Sequence, residues 1–307
     1  MNPSFVYMFL AVVACTAVTP PSLTITSPDG DIVDCININD QPAFDHPLLR
    51  NHTVLEAPAY MPDIEDTRWQ VWHGNGTECP EGTIPVRRLN GTTGFQPWRE
   101  VTIGHEYAIG FLNPPPPKIY GTKAVMNVWH PKVEEANEFS LGQVWLTAGT
   151  YDNNDLNSIE AGWQDPNLGP WWLGVRLSNE SDVTPIGYWP LELFTRLTDH
   201  ADNVNWGGEI VNLNVLGRHT STQMGSGYLP GDDKAAYMRD LQISVSIGEF
   251  QAVSDLKVGA TNTSYYNVEK YSNTSFAYGG PKYSNTSFAY GGPEHGEAAH
   301  LSLLLFF

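Results

Sequence analysis

Between Leu241 and Ile247 the chain reads LQISVSI. On a pleated strand Leu241, Ile243, Val245 and Ile247 fall on one face, and Gln242, Ser244 and Ser246 on the other. This strict period of two predicts an antiparallel strand buried on one side only. Segments 123–129 (KAVMNVW) and 143–148 (QVWLTA) carry the same signature less cleanly. In 209–215, EIVNLNV, Val211, Leu213 and Val215 alternate with Ile210, Asn212 and Asn214, and parity puts Glu209 with the apolar set. One helical pattern stands out over 190–201, with Pro190 in the first turn and Leu191, Phe194 and Leu197 spaced by three. Many short strands and one minor helix predict an all-β fold, an antiparallel, jelly-roll-like β-sandwich.

The hydrophobic pattern also marks the ends of the chain. Residues 5–18, FVYMFLAVVACTAV, are the only long apolar run. Fourteen residues are too few to cross a bilayer core, which needs about 20. They read as the apolar part of a signal peptide with a small-residue cleavage site after Ala17, although no basic residue precedes them. Pro114 to Pro117 must be extended and polyproline-like, which predicts a linker at 114–117. KYSNTSFAYGGP occurs at 270–281 and again at 282–293. Two copies are too few for a solenoid and read as a tandem duplication. The tail 294–307 ends in LSLLLFF, too short for a membrane span.

Composition narrows the class. The formal net charge is −18, and such a surface repels phosphate backbones, so nucleic acid is excluded as a partner. If the signal is removed, Cys15 leaves with it. Cys35 and Cys79 remain, and two cysteines in a secreted chain are expected to pair. That bridge would close a loop of about 44 residues, worth about 4 kcal/mol in the chain-entropy model. Sequons at Asn51, Asn75, Asn90, Asn179, Asn262, Asn273 and Asn285 agree with secretion.

Several chemistries find no motif. His105-Glu106 lacks the second histidine of a zinc-protease helix, and Ser226 in MGSGY has Met224 where a nucleophile elbow needs glycine. Asp199, His200 and His219 make at best a triad on paper. What remains is a pair of carboxylates in unusual company. Glu160 lies in SIEAGWQ and Glu209 in NWGGEIV. Tryptophan offers an apolar wall that disfavours ionisation, and glycine permits close approach of a substrate or a backbone.

These segments resemble the neprosin family of plant secreted glutamic peptidases. The resemblance runs from GDIVDCININDQPAFDHPLLRNH (30–52) and CPEGTIPVRR (79–88) through EFSLGQVWL (138–146), IEAGWQ (159–164) and WWLG (171–174). It continues in GYWPLELF (187–194), WGGEI (206–210) and TQMGSG (222–227). It implies a signal peptide (1–17), an activation peptide (18–113) with a Cys35–Cys79 disulfide, and a β-sandwich catalytic domain (118–293). It also implies catalytic glutamates at Glu160 and Glu209, a proline-containing polypeptide substrate, work in a secreted, extracellular or vacuolar acidic compartment, and no metal or organic cofactor. Trp163, Trp206, Gly207 and Gly208 are expected to shape the site. In the family a long stretch with several strands and a cysteine pair separates IEAGWQ from WWLG, whereas only DPNLGP (165–170) joins them here, so the sandwich is expected to be incomplete. Two alternatives stay open: a shortened, defective gene product, and an inactive secreted binding protein whose Trp171, Trp172, Trp189 and Trp206 stack on carbohydrate.

Overall fold

The structure is a computed structural model. It describes residues 20–28, 30–56, 72–73, 76–88, 104–129, 131–135, 137–160, 171–177, 184–214, 217–246, 249–281 and 300–304. They fall into two compact units: one takes the described residues up to Val54 and from 72 to 88, the other takes Leu55, Glu56 and everything from Gly104 onward. The signal-peptide reading lies outside the described residues.

The first unit is a three-stranded antiparallel sheet in the order β1 (Leu23–Thr26), β2 (Ile32–Asn37), β3 (Thr83–Arg87). Its core is small: Ile25, Val33 and Cys35, with Trp72 and Cys79 against them. So little apolar area is a weak anchor, and a covalent tie compensates. Cys35 and Cys79 form the expected disulfide, with Cα atoms 5.5 Å apart. Asp34, 3% exposed in β2, accepts two hydrogen bonds from the Arg88 guanidinium (2.8 and 2.6 Å) and one from the Thr24 hydroxyl (2.7 Å).

The second unit is a sandwich of two sheets. One has the order β13 (Leu256–Ala260), β4 (His105–Leu112), β10 (Asn203–Val211), β6 (Ser140–Ala148), β7 (Asn157–Glu160). The other has the order β14 (Asn267–Ser272), β15 (Ser275–Gly279), β11 (Ala236–Ser246), β5 (Gly121–Asn127), β16 (His300–Leu304), β8 (Trp171–Leu177), β9 (Thr184–Trp189), with β12 (Glu249–Ala252) also paired to β11. All pairings among these strands are antiparallel.

Alternation explains the core. Even-numbered residues of β10 and β6 face inward, so Val204, Trp206, Ile210, Val144 and Leu146 are buried against Phe276, Tyr278, Met238 and Trp171 from the other sheet. Tyr278 needs room that only glycine gives: a Cβ on Gly142, Gly208 or Gly225 would lie within 2.4–3.4 Å of its ring or hydroxyl.

Several sequence expectations are corrected. The helix over 190–201 shrinks to one 3-10 turn at Leu191–Leu193. The backbone N–H groups of Thr195 and Arg196 donate to Asn157 Oδ1 (2.8 and 2.6 Å), so they are lost to a helical ladder. β10 ends at Val211, and Leu213 is 40% exposed; Val215 lies outside the described residues. The four prolines connect β4 to β5 inside the second unit and do not divide the units. The expected tail supplies β16, which pairs with both β5 and β8. The first copy of the repeat forms most of the β14–β15 hairpin, and the second lies outside the described residues.

Candidate active site

The register of the first sandwich sheet decides which side chains share a face. Antiparallel Cα partners point the same way, as do residues i and i+2. Glu160 on β7 is opposite Trp145 on β6, which is opposite Asn205 on β10. Glu209 lies two same-face steps further along β10, between Leu141 on β6 and Tyr107 on β4. Glu160 and Glu209 therefore emerge on one face, the face turned away from the second sheet. The row between them pairs Gln143 with Gly207.

The surroundings of the two carboxyls differ. Glu209 is 6% exposed. His105 Nδ1 meets its Oε1, and the Tyr107 hydroxyl hydrogen-bonds it. Burial and the charge of Glu209 push the Tyr107 phenol well above its ordinary pKa, so it stays a donor. Glu160 keeps contact with solvent, yet the atoms packed around it raise its carboxyl pKa. The Gln143 side chain hydrogen-bonds it and opposes that rise, and the negative charge of Glu209 adds to it. Aromatic rings line the space between: Trp145 stands edge-on to Tyr107, with centroids 6.4 Å apart.

The remaining expected site residues are divided. Gly207 lies on the site face in the row between the carboxyls; its φ is +141°, and a Cβ there would come within 2.4 Å of Ala108 O. Glycine is what lets β4 and β10 approach at this point. Trp206 and Gly208 face the other way. The Trp206 indole is fully buried and donates to Thr122 Oγ1 at 3.0 Å, and Gly208 makes room for Tyr278 and Met224. Alternation forces this: the neighbours of Gly207 in β10 cannot share its face. Trp163 lies outside the described residues.

The stacking reading fails for three of its four tryptophans, since Trp171, Trp172 and Trp206 are each under 4% exposed. The paper triad also fails: His219 pairs with Glu106 at 2.9 Å, while His200 pairs with Asp199 at 2.8 Å. Of the sequons, Asn51 and Asn273 are exposed and Asn262 is half-buried; Asn75, Asn90, Asn179 and Asn285 lie outside the described residues. From sequence, Tyr107 and Gln143 were missed, and His105 was weighed only as half of a zinc-protease motif. The alternation in HEYAIGFL, His105 and Tyr107 against Glu106 and Ala108, was the available signal.

Comparison with known families gives two matches. A neprosin activation-peptide model matches residues 24–93, which contain β2, β3, all of β1 but Leu23, and both bridged cysteines. A neprosin model matches residues 163–293, which contain Glu209; Glu160 stands three positions before that match. An activation-peptide region followed by an antiparallel sandwich carrying the matched segment leaves one assignment: the chain belongs to the neprosin family.

Proposed function

We propose that the chain is the precursor of a secreted, acid-active glutamic endopeptidase that cleaves polypeptides after proline by an activated-water mechanism. The observation that carries this reading is the placement of Glu160 and Glu209 on one sheet face, with Glu209 met by His105 and Tyr107 and the carboxyl pKa of Glu160 raised by partial burial.

Glu209, met by two donor side chains, serves as the base. It takes a proton from a water whose oxygen attacks the scissile carbonyl carbon. Glu160, held protonated by partial burial and by the charge of Glu209, donates a hydrogen bond to the carbonyl oxygen as charge develops there. The tetrahedral intermediate collapses as Glu160 passes its proton to the leaving amine. A proton moves from Glu209 to Glu160 through solvent to restore the resting state. The Gly207 position, without a side chain between the carboxyl rows, leaves space for the scissile bond. The sign of the pH dependence follows. Glu160 is the competent acid below its raised pKa, so activity is lost as pH rises through that value.

The test is cleavage by the purified chain after removal of its N-terminal segment. Proline-containing peptides are incubated across pH 2–7 and the products read by mass spectrometry. Cuts confined to the acid range and placed after proline are expected. Cleavage that is maximal at neutral pH, or no cleavage at all, would contradict the reading.

A further inference from the structure

We propose that His105 is a positioning residue for Glu209: an imidazolium that keeps this carboxylate ionised and aimed into the site in acid. The proposal rests on the reading of Glu209 as the catalytic base.

A base in an acid enzyme has a chemical difficulty. It must remain unprotonated where ordinary carboxylates take up protons, and Glu209 is 6% exposed, so burial alone would favour its neutral form. A cation in contact reverses that preference. His105 is two residues before Tyr107 on β4, so both share the face of Glu209. Tyr107 lies directly across from Glu209 and His105 across from Val211, one same-face step away. His105 Nδ1 is in contact with Glu209 Oε1.

The imidazole is oriented by more than that contact. It stands edge-on to Phe139, with centroids 5.8 Å apart and planes at 68°, and it stacks at 6.2 Å on the ring of Tyr107. Its reference pKa near 6.5 means it is charged throughout the acid range, so the pair is ionic where the enzyme is meant to work.

No other described cation takes this place. On the same face, β6 contributes Leu141, Gln143 and Trp145, none of them charged. β7 contributes Glu160, a carboxyl that cannot act as a cation, and Tyr151 follows β6 near Tyr107. Lys257 on β13 is level with Glu160, not Glu209, and its ammonium is held by Asp255 at 2.7 Å. Glu106 and Glu138 bond elsewhere, to His219 and to Thr220.

The experiment starts from the full chain, with the N-terminal segment removed for the activity measurements, and has two arms. In the first, His105→Asn keeps a polar side chain and removes the charge. The acid limb of its kcat/KM profile should move up by about one pH unit or more, the effect of an opposite charge in contact. A merely structural role would lower activity without moving that limb, and this result would overturn the proposal. In the second, the His105 imidazole is titrated by NMR in the wild-type chain and in Glu209→Gln. The ring should hold its proton to a pH about one unit or more higher in the wild type. Equal titration in the two chains would overturn the proposal whether or not the protein cleaves peptides. A shifted titration in a chain that cleaves nothing would leave the pairing standing and remove the peptidase reading, so the two failures are distinguishable.

Discussion

Gly207 is the residue on which the geometry of the site turns most sharply. Its φ of +141° and the 2.4 Å approach of Ala108 O leave no space for a methyl group, and the obstacle is backbone. Gly207→Ala is expected to destabilise the chain by about 2–4 kcal/mol, from backbone strain plus overpacking. Because β10 must move away from β4, Glu209 would separate from His105 and Tyr107, and acid peptidase activity should fall further than folded protein does. Gly208→Ala meets the Tyr278 ring and Met224, which can shift, so it should cost about 1–3 kcal/mol with less loss of activity. Thermal melts and activity per folded molecule would separate the two. The sequence showed glycine and tryptophan around Glu209 but not how they divide. Which of Trp206, Gly207 and Gly208 faces the carboxylates depends on strand parity, and parity has meaning only once the strand is known to be continuous from Asn203 to Val211. His105 and Tyr107 were hidden for another reason: their partner is 102–104 residues away, and no local pattern announces a contact at that range.

At the scale of elements, legibility followed from how local the deciding interaction is. The strand at 241–247 was readable because burial of one face writes itself into alternation, and β11 covers Leu241 to Ser246. The helix at 190–201 was misread because spacing by three is also compatible with a loop. What breaks the helix is the side chain of Asn157, nearly forty residues earlier. β2 carries a prediction of its own. The guanidinium of Arg88, chiefly by hydrogen bonding, lowers the pKa of Asp34 below the ordinary carboxylate value. A carboxyl lowered by folding stabilises the fold above its unfolded pKa, and that contribution is lost as pH falls through the folded value. Protection of the amides in β1 to β3, relative to their intrinsic exchange rates, should therefore fall below about pH 4, the reference range for aspartate. Asp34→Asn should remove most of that dependence by weakening these strands at every pH. Protection in β2, relative to intrinsic exchange, that is constant between pH 2 and 6 in the wild type would show that the pair contributes nothing. The disulfide keeps Cys35 and Cys79 joined whatever the charge on Asp34.

For the molecule as a whole, the two faces of one sheet have different tasks. The inner face, with Val144, Leu146, Val204 and Trp206, packs the sandwich, and the outer face carries Glu160, Gln143, Glu209, Tyr107 and His105. Other ties in this unit are suited to acid. Glu134 has its pKa lowered to about 2 by the backbone N–H of Ser221 and by Arg218, so that link remains ionic near pH 3. The all-β class and the disulfide were readable from the chain, because alternation, turn residues and cysteine count are local properties; the activation-peptide region was readable only through the resemblance of its motifs. The insertion of β16 between β5 and β8 was not, since LSLLL gives apolarity without a partner. The central claim is that Glu160 and Glu209 act as one unit. Its most direct test is kcat/KM near pH 3 for Glu160→Gln, Glu209→Gln and the double variant, each shown to be folded by its near-ultraviolet circular dichroism. Each single variant should lose about 10²–10⁴-fold, and the double variant little more than the worse single, because a pair that acts together fails together. Full activity in either single variant, or losses in the two that simply multiply, would contradict the account.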